Sequence, residues 1–395
     1  MDIYDQSLEL HKKVKGKLGI KLKVPLKNKL DLSLAYTPGV AGVARKIAEN
    51  PSLAYTYTIK YNSVAVVSDG SAVLGLGNIG PEAALPIMEG KAILFKEFAN
   101  IDAYPICLAT QKVDEIVQTV KAIAPGFGGI NLEDISAPRC FEVEERLQDI
   151  GIPVFHDDQH GTAIVLLAAL INATRVVKKR IEDIKVVING AGAAGNAVSQ
   201  LLLCLGYEEH ICTSVKEIIL CDSKGIVYEG RPDLDKYKEI LSHHTNRTKT
   251  KGSIQNALVG ADVFIGLSRG NLVTEQMIRS MNNDAIVFSM ANPVPEVMPE
   301  VAKAGGALIV GTGRSDYPNQ INNVLAFPGV FRGALDARAA VINKEMKVAA
   351  AHALAMTMKR PTHDKILPSP LQKNIVKKVS LAVKHAAQVT GVAEN

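Results

Sequence analysis

Two pairs of adjacent acids are the first residues in the chain whose types and spacing suggest chemistry: Glu133-Asp134 follows the apolar run GGINL, and Asp157-Asp158 follows IPVFH. If both runs are parallel strands of one open sheet, their carboxyl ends share a rim, and ligands of such sheets collect there. Carboxylates crowded together repel unless a hard, oxygen-preferring cation, Mg²⁺ or Mn²⁺, neutralises them. Solvated loop acids or helix caps are the alternative, and spacing does not separate the two. The segment His156-Asp157-Asp158-Gln159-His160 also imitates a zinc-protease helix with Asp in place of Glu. That motif needs both histidines on one helix face, whereas a helix is expected here only from Gly161-Thr162. The histidines are therefore read as orienting acids or packing locally.

The spacing G-x-G-x-x-G occurs twice. Gly190, Gly192 and Gly195, with Ala193 and Ala194 between them, follow the apolar run KVVIN and open a small-residue helix, and Asp222 ends the next apolar run. That order suits a dinucleotide, with the pyrophosphate at the turn and helix N-terminus and the acid on the ribose hydroxyls. The distance from Gly195 to Asp222 is somewhat long, with YEEHICTSVK as the apparent insertion. Gly75, Gly77 and Gly80 form the other match, but Asp102 precedes its next strand instead of ending it, so this is a structural turn or one that touches substrate. Gly90-Lys91 is not a phosphate-binding loop, because Ala92 stands where Ser or Thr is required.

Short β-branched runs alternating with Ala/Leu-rich helical patterns position these residues. VAVVSDG, PICLAT, GGINLED and IPVFHDD form a first set of strands; KVVINGAG, EIILCD, ADVFIGLS, AIVFSMANP and ALIVGTG form a second. The class is α/β with two domains. Residues 1–160 are read as an N-terminal α/β substrate and metal domain, and residues 161–395 as a Rossmann-type dinucleotide-binding domain with a parallel sheet and C-terminal helices. The hinge is placed around the helix GTAIVLLAALINATRVV.

Composition narrows the function classes. With 395 residues, 47% apolar and 22% charged, disorder is excluded. The formal charge of +5 is local, since eight lysines lie between Lys12 and Lys29 with no acid among them. With no Trp and 5% aromatics, nucleic-acid binding is not expected. The longest unbroken apolar run, nine residues from Ala163 to Ile171, is too short to span a membrane, so a cytoplasmic protein is expected. Five cysteines without C-x-x-C spacing read as reduced core thiols.

Taken together, the motifs resemble the malic enzymes, specifically the short prokaryotic type. The matching stretches are AYTPGV at Tyr36, VVSDGSAVLGLGNIGPEAALPIMEGKAILFK at Lys91, NLEDIS at Glu133, FHDDQHGTA at Asp158, INGAGAAG at Gly190, MANPVPE at Asn292 and NNVLAFPG at Asn323. The resemblance implies a two-domain enzyme with its site in the cleft, oxidising L-malate with NAD or NADP and decarboxylating it to pyruvate and CO₂. It implies Tyr36 and Lys91 as acid and base, Glu133, Asp134 and Asp158 as ligands of Mg²⁺ or Mn²⁺, and Asp157 in support. Asn292 and Asn323 are implied as substrate and nicotinamide contacts, and the assembly as a homodimer. An acetyltransferase-like extension fused to some relatives is not expected.

One departure stands out: larger relatives place an arginine after SDG to hold a substrate carboxylate, and this chain has Ala72 there. Near a cation and partly desolvated, Lys91 is expected to have its pKa drawn toward neutrality. Asp222 favours NAD, with Lys224 as an offsetting charge. Malolactic conversion with tightly held NAD, and a non-catalytic nucleotide sensor, are the rival functions.

Overall fold

The computed structural model describes residues 2–73, 75–206, 212–372 and 374–394. Two sheets organise the chain. In the first, β1 (Ser63–Ser68), β2 (Asp102–Cys107), β3 (Gly129–Leu132) and β4 (Val154–His156) are parallel in the order β2-β1-β3-β4. Every residue of β1, β3 and β4 is buried, as a strand covered on both faces requires, so these runs read as continuously apolar. The edge strand β2 starts at Asp102, before the expected run PICLAT. Pro105 is tolerated in it because an edge strand can leave one side of its ladder unpaired.

The second sheet contains β5 (Lys185–Asn189), β6 (Glu217–Asp222), β7 (Gly225–Ile226), β8 (Val263–Gly266), β9 (Ala285–Ser289) and β10 (Ala307–Thr312), ordered β10-β9-β8-β5-β6-β7. Only β7 is antiparallel; it is a short return strand that the sequence pattern did not signal. With β5 taken as first, the order is that of a dinucleotide-binding sheet, and the strand direction of travel reverses beside β5.

Helix Asp157–Val177 joins the halves. Its residues Ala163 to Leu170 are all buried, in a core shared with Val64 and Phe155 of the first sheet and Val186 and Ile188 of the second. By length and composition this helix would suffice to cross a membrane, but its apolar surface is spent inside the protein core. It begins at Asp157, not at Gly161 as expected. Two acids in its first turn complement the exposed N–H groups and positive dipole end, so a segment that resembled a loop is helical. Helices Phe327–Asp336, Lys344–Ala355 and Asn374–Val389 close the C-terminal side.

The cysteines need correction. Cys204 and Cys212 form a disulfide, while Cys107, Cys140 and Cys221 are free. After helix Ala193–Leu202 the chain turns through Cys204 and Gly206, both at positive φ, and returns so that the two Cα atoms lie 5.7 Å apart. Part of the apparent insertion YEEHICTSVK, residues 207–211, lies outside the described residues.

Candidate active site

Lys91 lies on helix Pro81–Ala99, within a buried stripe of Ala84, Met88, Ala92 and Phe95. A lysine on a core face needs counter-charges, and it has two: Nζ is 2.9 Å from Glu133 Oε1 and 2.6 Å from Asp157 Oδ2. The same ammonium sits 4.2 Å from the centre of the Phe327 ring. Burial alone would discharge it, but Asp157 and Glu133 outweigh burial and raise its pKa. The expected drift toward neutrality is therefore reversed, because the partners facing Nζ are anions.

The two acid pairs meet as the strand ends required. Glu133 and Asp134 leave β3, Asp157 and Asp158 follow β4, and oxygens of Glu133, Asp134 and Asp158 lie within 4.8 Å of one another. Burial, then the neighbouring Asp158 and Glu133, push the Asp134 carboxyl up to about 9. Burial also raises Glu133 to about 7 and Asp158 to about 6 despite Lys91. Three hard oxygens that one lysine does not neutralise form a donor set suited to a small divalent cation. Local bonds hold their geometry: Asn131 Nδ2 donates to Glu133 Oε2 at 2.8 Å, and the Asp134 N–H to Asp158 Oδ2 at 2.8 Å.

The histidines do not form a zinc pair. His160 is 2.8 Å from Glu144, whereas His156 is fully buried, with Nε2 3.6 Å from Asp158 Oδ2. Glu144 is a site-supporting residue that sequence reasoning missed, and a lone acid in a short helix offers no motif.

Asn323 reaches the cluster, Nδ2 donating to Asp157 Oδ2 at 2.6 Å. Asn292, joined to Pro293 by a cis bond, packs by its carbonyl against Gly75 of the first glycine-rich turn and by its amide near Gly313. Tyr36 is not brought in: its side chain is 66% exposed and makes no hydrogen bond to the acids or Lys91. It belongs to an N-terminal segment whose helices, Ile3–Val14, Lys29–Ala35 and Val40–Glu49, bury no residue.

A cavity of about 1020 Å³ opens between the sheets, lined by Asn189, Gly190, Ala191 and Gly192 on one side and Ala137, Pro138 and Phe141 on the other. Ala193 and Ala194 start the helix behind this turn, and Gly195 packs so closely that a Cβ there would lie 1.7 Å from the Gly190 carbonyl oxygen. Asp222 lines the far end, but Arg231 already grips both of its oxygens. Lys238 is 3.6 Å away, and Lys224 turns instead to Asp233 at 2.8 Å. Arg231 is another residue that no pattern announced.

A dinucleotide-type turn on the second sheet, together with a buried lysine-carboxylate cluster on the first, is the arrangement of a nucleotide-dependent dehydrogenase. Residues 15–148 match the family described as malic enzyme, N-terminal domain, and residues 159–393 match malic enzyme, NAD binding domain. The chain is 54% identical to the bifunctional malic/malolactic enzyme of Bacillus subtilis, over 100% of this chain and 95% of that one. It is 53% identical to the NAD-dependent malic enzyme of Geobacillus stearothermophilus, over 100% of this chain and 80% of the relative. The crystal structure of the Pyrococcus horikoshii malic enzyme superposes with a TM-score of 0.94 at 48% identity, covering 100% of this chain and 92% of that one. The chain belongs to the malic enzyme family.

Proposed function

We propose that the protein oxidises L-malate with NAD(P) and decarboxylates the product to pyruvate and CO₂, using a divalent cation held by Glu133, Asp134 and Asp158. The observation that carries this reading is Lys91 bonded to both Glu133 and Asp157 beside that acid cluster. When bound, Mg²⁺ or Mn²⁺ supplies Lewis-acid polarisation of the substrate oxygens and offsets charge as CO₂ departs. Lys91 Nζ is placed to exchange the proton of the C2 hydroxyl, with Asp157, 2.6 Å behind it, as the next station. Asn323 and Asn292 orient substrate and nicotinamide, and the cavity beside Gly190 takes the dinucleotide.

NAD is the proposed preferred cofactor, with NADP accepted because Arg231 offsets Asp222. The exposed apolar side chains of the N-terminal segment, Ile20 at 95% and Leu34 at 68% among them, support a homodimer in which a second copy covers them. Tyr36 is then proposed as the acid that protonates C3, completing the site on association. A cytoplasmic location goes with this small-molecule chemistry.

Malate and Mn²⁺ with NAD or NADP test the reading, following reduced nicotinamide, pyruvate and lactate together. Reduced nicotinamide and pyruvate in equal amounts are expected. The Bacillus relative's bifunctional name keeps malolactic turnover as a second reading, which lactate without free reduced nicotinamide would establish.

A further inference from the structure

The loop after β1 carries Asp69, Ser71 and Ala72, and it lies directly on the acid cluster: the Ala72 N–H donates to the Asp134 carbonyl at 2.9 Å. No cation is supplied at position 72 itself. One arrives from the next element instead. Arg139 opens helix Arg139–Glu145, five residues beyond Asp134, and its Nη2 donates to Ser71 Oγ at 2.9 Å and to Asp69 Oδ2 at 3.1 Å. Ser71 is fixed in turn, accepting the Ser136 N–H at 2.9 Å and donating to Asp69 Oδ1 at 2.5 Å.

This pairing does not saturate the guanidinium. Arg139 Nε is buried and has no hydrogen-bond partner among the described residues, and Nη1 has no protein partner among them. Its side chain keeps 30% exposure, so its free donors can be approached. Two other cations are already engaged. Lys91 is held by two acids, and Arg314 turns its fork to Asp316 with Nη1 on the Pro293 carbonyl. A dianionic substrate placed among Glu133, Asp134, Asp157 and Asp158 needs positive charge beyond a single divalent ion.

We propose that Arg139 takes the part of the arginine absent at position 72 and binds the C1 carboxylate of malate, the one retained in pyruvate. Decarboxylation chooses between the two carboxylates. An ion pair on C4 would be stronger in the ground state than in the transition state, where that group becomes neutral CO₂, and would slow the reaction. On C1 the charge persists from malate through the enolate to pyruvate, so a guanidinium there holds the substrate without opposing the step. Asp69, fully buried, keeps the fork aimed by occupying Nη2.

The inference rests on the divalent-ion reading above, and its test separates the two. Mn²⁺ binding is titrated by electron paramagnetic resonance, oxalate binding by competition on the Mn²⁺-loaded protein, and NAD binding by fluorescence. The variants are Arg139→Gln, Arg139→Lys and the double variant Arg139→Gln/Ala72→Arg. With Arg139→Gln, oxalate affinity and malate KM should worsen roughly 10- to 100-fold, the range for a lost hydrogen bond to a charged group. Mn²⁺ and NAD affinities should hold. Lysine should retain part of the oxalate affinity, and Arg at position 72 should restore it. Unchanged oxalate affinity, or losses shared equally by Mn²⁺ and oxalate, overturn the proposal, the second because it marks Arg139 as a clamp on the metal loops. A fall in NAD affinity alone also overturns it. If the native protein binds no Mn²⁺, the divalent-ion reading fails instead, and the malate KM of Arg139→Gln against its NAD KM then decides the role of Arg139.

Discussion

Asn323 and Asp157, 166 residues apart in the chain, meet in a 2.6 Å hydrogen bond on the same carboxylate oxygen that takes the Lys91 ammonium. One oxygen thus couples the helix carrying the lysine, the helix joining the two sheets and the turn before helix Phe327–Asp336. The other oxygen, Asp157 Oδ1, is buried without a hydrogen-bond partner among the described residues and packs into the space left by Gly161, where a Cβ would lie only 1.8 Å away.

That gap makes Gly161→Ala a test of the lysine-aspartate unit that changes no charged residue. The methyl must displace Asp157 and with it Lys91, and kcat/KM should fall by roughly 10²- to 10⁴-fold, as for loss of a positioned base. Gly126→Ala, whose Cβ meets nothing within 4 Å, is the control and should leave activity near native. Native-like turnover in Gly161→Ala would show that this contact does not set the site.

Divalent cation dependence follows from Glu133, Asp134 and Asp158. Excess chelator should abolish turnover, Mn²⁺ should restore it, and Mn²⁺ at a hundredfold excess over Kd should stabilise the fold by about 2.7 kcal/mol, read as a raised thermal midpoint. Asp158→Asn should lose most of that shift. Full malate oxidation in chelator would remove the assignment.

The strands were legible because parallel strands buried on both faces leave unbroken apolar runs: β6 matches EIILCD residue for residue, and β5 ends one residue before the turn at Gly190. The rim of acids was legible for the same reason, since a strand's end fixes where its next residue points. What stayed hidden depends on contacts between distant segments. Lysine is so rarely buried that the residues around Lys91 gave no sign that it faces inward, and only the resemblance singled it out. The Cys204–Cys212 pairing has no local signature, and Arg231 on Asp222 is a tertiary encounter. Tyr36 was singled out by its motif, yet the fold of a single chain leaves it on the outside.

Cofactor choice should respond to Arg231. With the guanidinium removed in Arg231→Ala, Asp222 keeps only Lys238 at 3.6 Å and turns more of its charge toward a 2′-phosphate, and the ratio of kcat/KM for NAD over NADP should rise about tenfold, as expected for one added like-charge contact near the protein surface. Lys224→Ala should matter less, because Lys224 pairs with Asp233. An unchanged ratio in Arg231→Ala would place the determinant elsewhere on the cavity wall.

Acid stability should depend on Glu144. Burial raises its pKa, but His160, Lys347 and His156 outweigh this and hold the carboxyl down at about 2, against an ordinary 4.5. A depressed acid stabilises the fold above its unfolded pKa and loses that contribution as pH falls from about 4.5 toward 2. Glu144→Gln should therefore lower the urea-derived stability at pH 7 by on the order of 2–3 kcal/mol, and the gap to native should narrow below about pH 4.5 and close only near pH 2. A gap that is constant with pH would mean the loss is one of packing.

The proposed acid, the exposed Tyr36, and the proposed base, the buried Lys91, are not brought together by the fold of one chain. Lys91→Ala should lower malate oxidation by roughly 10²- to 10⁴-fold, while Tyr36→Phe should suppress exchange of the pyruvate methyl hydrogens at least as strongly as turnover. If the tyrosine enters the cleft of a second copy, each variant alone is inactive at both sites of the dimer. A mixed dimer of the two variants then carries one site with neither lesion. Mixing the purified proteins under conditions that exchange subunits should recover part of the native activity, with single-variant controls remaining inactive. Recovery identifies a site shared across copies; absence of recovery despite mass-spectrometric proof of mixed dimers would mean that Tyr36 serves its own chain, and equal, modest losses in every partial reaction would withdraw its acid role altogether.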